Sequence, residues 1–220
     1  MHARSRIRRL ARAASGGFTL LEMLVVLMII GVLSTYLVVN VPTWVDRARM
    51  TACERNMARI WEHMTAYQTD HQSIPKDEGQ RFFMRLWKDK YVDHTAAGAR
   101  LFFCPSEPWK ELYLDEEELF AALDDFDGLA AGSTSYAGFS TGGDRDLRRK
   151  ARQGDGNLVV IADAGLTHKT GIIYLTADGV THRMLRSEIE EELGYDPWEQ
   201  DGIQMGPGSE IERFQTVSND

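Results

Sequence analysis

From Met23 to Val45 the chain carries no charged side chain, and Leu, Val, Ile and Met fill most of those 23 positions. At the α-helical rise they span about 34 Å, enough for the hydrocarbon core of a bilayer. Farther on the pattern becomes that of a one-faced helix. Trp44, Ala48, Ala52, Met57, Ile60, Trp61, Met64 and Tyr67 recur mostly at three- and four-residue steps, with Arg47, Arg49, Glu54, Arg55, Arg59 and Glu62 between them. The two patterns together predict one helical spine from Phe18 to about Gln72. Pro42 removes a backbone donor inside it and should kink or loosen that turn. Ser73-Ile74-Pro75 ends it, because the residue before proline disfavours helix.

Beyond the spine the periods shorten. A helix is expected at about 79–90, with Phe82, Phe83, Leu86 and Trp87 facing inward. Another is expected at about 116–126, where Asp115 and Glu118 form a capping-box pattern and Gly128 stops it. Two β-branched runs, Asn157–Asp163 and Gly171–Thr176, are followed by Asp178-Gly179 and then Val180–Leu185. Asp-Gly between such runs signals a tight hairpin, so an antiparallel sheet of at least three strands is expected. A short helix with a Ser187-x-x-Glu190 cap follows Arg186. Residues 195–220 show little periodicity and read as irregular or mobile. The fold class is α+β.

Charge adds a direction. The net charge of −8 divides into +5 for residues 1–17, from Arg4, Arg6, Arg8, Arg9 and Arg12, and −13 for the remainder. A basic flank before an apolar span keeps the flank cytoplasmic and exports the acidic bulk. An acidic exported domain argues against nucleic acid as a partner, since that needs a basic patch. Cys53 and Cys104 then lie where disulfides persist. They admit one intrachain bridge or two free thiols, and no Cys/His spacing signals zinc.

A secretory signal peptide is cut after its apolar stretch, but nothing suitable follows this one. The distinctive residues precede it, as Gly16-Gly17-Phe18-Thr19-Leu20-Leu21-Glu22. This junction resembles the type III signal of the type IV pilin and type II secretion pseudopilin superfamily. The resemblance implies cleavage between Gly17 and Phe18 by a prepilin peptidase, N-methylation of Phe18, and a mature chain of 203 residues out of 220. It also implies a pilin-like fold, a long helical spine packed against a small sheet. An acid within a lipid-buried helix is costly and points to function. In the superfamily the acid matching Glu22 pairs with the N-terminal amine of a neighbouring subunit; the bland role for Glu22 is support of the helix N-terminus.

Three further patches are similar to a prepilin-like subgroup of Planctomycetes and Verrucomicrobia. They are Phe103-Cys104-Pro105-Ser106, Ser135-Tyr136-Ala137-Gly138, and an H-x9-DG motif formed by His168, Asp178 and Gly179. Where that pattern often has His directly after Asp-Gly, Val180-Thr181 precedes His182 here. Asp163, His168, Asp178 and His182 could form a metal site, but the structural reading is preferred: Asp178 builds a turn, and His168 caps a loop or bonds backbone. Calcium, bound by the major pseudopilins, would find its oxygens among Asp124, Asp125, Asp127, Asp144, Asp146 and Asp155, which match no EF-hand spacing. No cofactor or metal is assigned.

These readings divide the chain into a cleaved leader (1–17), a membrane and assembly helix (18–45), an amphipathic spine (46–72), an α+β head (73–194) and an irregular tail (195–220). The expected function is a non-enzymatic subunit of a type II secretion pseudopilus or type IV pilus-like filament in the inner membrane, with a periplasmic head. Its partners would be the prepilin peptidase, other pilin or pseudopilin subunits, the assembly platform and the lipid bilayer. No G-x-S-x-G, HExxH or P-loop pattern supports an anchored enzyme. The alternative is a membrane-tethered binding protein or receptor, which would show a deep pocket in its head.

Overall fold

The computed structural model describes residues 18–220, apart from Trp109, Glu111 and Asp201. The basic leader and Gly17 lie outside the described residues. Helix α1 runs Leu20–His71 and contains Pro42. The chain divides into two compact units, one ending at Pro42 and one spanning Thr43–Asp220. In the first unit every side chain from Phe18 to Val39 is exposed, Leu20 by 84% and Val38 by 75%. That stretch is the one helical segment among the described residues long and apolar enough to cross a membrane.

In the second unit α1 buries Asp46, Met50, Cys53, Met57, Ile60 and Met64. The expected stripe is right from Met57 onward and wrong before it. Ala48 and Trp44 are exposed, because the buried face there begins with a charged residue, Asp46, which hydropathy alone assigns to solvent.

Five strands form one antiparallel sheet in the order β4-β3-β2-β1-β5. They are β1 (Tyr136–Phe139), β2 (Val159–Asp163), β3 (Gly171–Thr176), β4 (Thr181–Leu185) and β5 (Val217–Ser218). The fold is therefore α+β and pilin-like, a long N-terminal helix with a small antiparallel sheet. The hairpin joins β3 to β4 through four residues rather than two. Gly179 sits at φ +86°, and a Cβ there would lie 2.4 Å from the Trp61 indole nitrogen, so the turn needs glycine for space as well as conformation.

Helix α2 (Gln80–Lys88), the one-turn α3 (Ala96–Ala99) and α4 (Glu116–Asp124) follow the spine. The expected Asp115 cap is present, with the Glu118 amide donating to Asp115 at 2.9 Å. Glu118 itself accepts from the Leu114 amide at 2.6 Å, one residue earlier than the reciprocal bond of a capping box. Helix α5 (Arg145–Gln153) was not expected, since its basic sequence has almost no apolar face. Helix α6 (Arg186–Leu193) begins before Ser187, and Glu188 accepts from the Leu185 amide at 2.7 Å, replacing the expected Ser187–Glu190 cap.

Both sheet faces are covered. One packs on α1, α2 and α4 through Tyr136, Val160, Ile161, Ile173 and Leu175. The other buries Ala137, Val159, Ala162, Ile172 and Met184 against Ile189, Met205, Ile211, Phe214 and Val217. An irregularity in the β2–β3 register between Val159 and Ile161 lets Val160 and Ile161 both serve the first core. Residues 195–220 are thus irregular in form but not loose. Their apolar residues close the second face, and Gln80 bonds the backbone of both Asn219 and Asp220.

Glu78 ties the loop after α1 to the loop after β1. It accepts hydrogen bonds from the hydroxyls of Ser140 and Thr141, the amides of Thr141 and Gly142, and the Arg148 guanidinium. Burial acts to raise its pKa, but the bonds from Thr141, Ser140 and Gly142 outweigh this and hold it below the ordinary 4.5. Such a depressed acid stabilises the fold above its unfolded pKa, and the contribution is lost as pH falls through the lowered value. Glu78→Gln is expected to cost about 1–2 kcal/mol at neutral pH, a moderate figure because the carboxylate is partly solvated. Melting curves of both chains should converge as pH falls below 4.5; a gap independent of pH would contradict the assignment.

Candidate functional site

Four distant segments meet under the sheet. Cys53 comes from α1, Cys104 from the loop after α3, Asp163 from the end of β2, and His168 from the β2–β3 connection. All four side chains are buried, and one potential ligand atom from each lies within 4.8 Å of all the others. Both cysteines are free thiols. The Cys53 sulfur is 3.3 Å from both Asp163 Oδ1 and the Tyr136 hydroxyl. The Cys104 sulfur is 3.2 Å from His168 Nε2 and accepts from the Ser106 amide at 3.4 Å.

The surrounding bonds aim these groups. Asp163 Oδ2 accepts the Ile173 amide at 2.8 Å, which turns Oδ1 toward Cys53. His168 Nδ1 faces the Ser106 hydroxyl at 3.1 Å and Asp46 Oδ1 at 3.5 Å, leaving Nε2 to the sulfur. Asp46 is held in turn by the Thr170 amide and hydroxyl, at 3.0 and 2.7 Å. The Trp198 indole, from the segment after α6, donates to the His168 carbonyl at 2.7 Å.

So many ionisable groups in one dry space perturb each other. The Cys104 thiol is pulled down to about 5 by the hydrogen bond from Cys53, against the effect of burial, with His168 adding to the pull. Burial and the Cys104 neighbour push the Cys53 thiol up. Asp163 is pushed up to about 7 by burial and by negative charge on Cys104. Burial would lower His168, but Cys104, Asp163 and Asp46 outweigh it and raise the imidazole.

The H-x9-DG residues separate into two places. His168 joins the buried cluster and bonds side chains rather than capping a loop. Asp178 stays in the hairpin, accepting from the Thr176 hydroxyl at 2.6 Å and the Val180 amide at 3.1 Å. His182 bonds Thr176 at 3.1 Å and stacks on Tyr174. Of the four residues weighed as a metal site, the structure thus brings together Asp163 and His168 only, and adds the two cysteines. Of the six acids weighed for calcium, four make the following local bonds. Asp144 caps α5, Asp124 accepts from the Trp87 indole, Asp125 accepts the Gly128 amide and Asp155 the Asn157 amide. On the surface an open cleft of about 530 Å³ is lined by Asn56, Arg59, Leu101, Phe103 and Pro105 among others.

At the other end of the chain, α1 begins with a reciprocal cap. The Glu22 amide donates to the Thr19 hydroxyl at 3.2 Å, and Glu22 Oε2 accepts from the Thr19 amide and hydroxyl at 2.8 and 2.9 Å. Thr19-x-x-Glu22 is therefore a capping box, set at the start of an exposed apolar helix. Residues 12–38 match the prokaryotic N-terminal methylation motif. No curated protein and no solved structure matches the chain. The methylation motif is a type IV pilin-like prepilin signal, and it covers the junction and most of the exposed helix. Together with that helix it is consistent with membrane anchoring and with a structural rather than catalytic role.

Proposed function

We propose that the chain is a structural subunit of a type II secretion pseudopilus or a type IV pilus-like filament. The observation that carries this reading is the methylation motif at residues 12–38, most of it on a helix whose apolar side chains find no cover among the described residues. Prepilin peptidase would cut between Gly17 and Phe18 on the cytoplasmic face of the inner membrane and methylate the new Phe18 amine. The helix of residues 18–45 would wait in the bilayer, then leave it at the assembly platform to pack with its copies, while the head stays periplasmic or extracellular. Exchanging lipid for other helices keeps the apolar surface dry in both states, so packing and charge pairing decide assembly.

Glu22 would supply that pairing. In the single chain its carboxylate satisfies the Thr19 amide and hydroxyl. In a filament one oxygen could also meet the Phe18 amine of a neighbour, fixing axial register. The head would then pack against other heads or meet exported cargo. A tethered receptor is the second reading, and the cleft beside Phe103 and Pro105 is where its ligand would sit.

Intact mass and N-terminal peptide mapping of the chain from native membranes test the processing step. A 203-residue chain starting at methylated Phe18 is expected. A chain that still carries its leader would contradict the reading and bring the receptor forward.

A further inference from the structure

We propose that Cys53, Cys104, Asp163 and His168 form a structural zinc site inside the head. The donor set is what a closed zinc site uses: two sulfurs, one imidazole nitrogen and one carboxylate oxygen. Bond lengths of about 2.3 Å to sulfur and 2.0–2.2 Å to nitrogen and oxygen place tetrahedral ligand atoms roughly 3.3–3.8 Å apart. Here the Cys104–His168 and Cys53–Asp163 separations are 3.2 and 3.3 Å, and no pair among the four exceeds 4.8 Å. Shifts of a few tenths of an ångström in those two pairs, and of at most about 1 Å in the others, bring the cluster to tetrahedral spacing.

The outer partners match a metal site as well. Ligand histidines hand their other ring nitrogen to a carboxylate or hydroxyl, which fixes the tautomer. His168 does so with Ser106 and Asp46, and Asp46 is anchored by Thr170. The Ser106 amide points at the Cys104 sulfur, and the Ile173 amide holds the non-coordinating oxygen of Asp163. Soft thiolates with imidazole select zinc over calcium or magnesium, which take oxygen.

Zinc would enter with loss of the protons held on its ligand atoms, among them the Cys53 thiol proton and any proton on His168 Nε2, its charge balancing ligands that burial otherwise disfavours. It would tie α1 to the loop after α3, to β2 and to the β2–β3 connection. It would also hold both sulfurs against oxidation in an exported compartment.

The test uses the full mature chain, purified in detergent without a histidine tag. Elemental analysis is expected to find about one zinc per chain, with Cys104→Ser and His168→Ala each losing at least four-fifths of it. Asp178→Asn and His182→Gln, in the neighbouring hairpin, should retain it. Cobalt exchange in the unaltered chain gives an answer even where variants fail to fold. A thiolate-to-cobalt charge-transfer band with strong visible bands is expected. Metal-free protein would overturn the proposal, whether its mass showed a Cys53–Cys104 disulfide or two free thiols. Cobalt bound without the thiolate band would overturn it too.

Discussion

Glu22→Ala should yield chains that insert and are cut normally but form no filaments. The apolar helix is exposed from residue 18 to 39, and Glu22 is the only charged side chain in 18–42, so Glu22 and the new Phe18 amine are the charges that can set one copy's height against the next. Removing the carboxylate would leave a Phe18 amine buried among apolar helices without a partner. Breaking a buried ion pair in that way weakens each subunit addition by a factor of roughly 10²–10⁴. The capping box gives this prediction a second arm. Glu22→Gln keeps a residue able to satisfy Thr19 at the helix start, so a purely local role predicts that it assembles. Pairing predicts that Gln fails like Ala. Counting filaments in cells carrying each variant, with cleavage followed by mass, separates the two roles.

Phe214→Ala should be the most damaging single truncation in the 195–220 segment. Phe214 is fully buried on the second face of the sheet, with its ring centroid 5.7 Å from that of Tyr174 and with Ile211 and Val217 in the same cluster. Phe-to-Ala changes in such positions cost about 3–5 kcal/mol, against a total of about 5–15 for a domain. For a unit of this size the melting temperature should fall by roughly 6–20 °C. Thermal denaturation of the full chain in detergent measures it. A shift under about 2 °C would mean that the segment does not close the core as described.

That segment shows where sequence reading ran out. Residues 195–220 have no helical or strand period, so they read as irregular or mobile, yet Met205, Ile211, Phe214 and Val217 are buried. A segment that covers a sheet with scattered single anchors leaves no periodic signal. The strand β1 was hidden similarly: Tyr136–Phe139 is only four residues and includes Gly138, whose missing side chain admits the Gly79 carbonyl. By contrast the spine, the Asp-Gly hairpin and helices α2 and α4 were legible, because each combines a clear period with a stop or cap.

The buried cluster was half legible. His168 and Asp163 stood out beside the H-x9-DG pattern, and Cys104 within its own patch. Nothing in the spacing of Cys53, Cys104, Asp163 and His168 suggested that they meet, since Cys53 and His168 lie 115 residues apart (168 minus 53) and only the packing of α1 and the loop after α3 on the sheet brings the four together. Asp46 was missed for a related reason. A lone acid at the edge of an apolar run reads as the start of solvent, and its Thr170 and His168 partners lie more than 120 residues on.

The central claim, that this chain polymerises through its N-terminal helix, is tested most directly by electron cryomicroscopy of the processed chain recovered from cells with an active assembly platform. The account predicts helical filaments with residues 18–45 in a central bundle, Glu22 beside a neighbour's Phe18 amine, and heads on the outside. A fully cleaved chain that is found only as dispersed membrane monomers would contradict it.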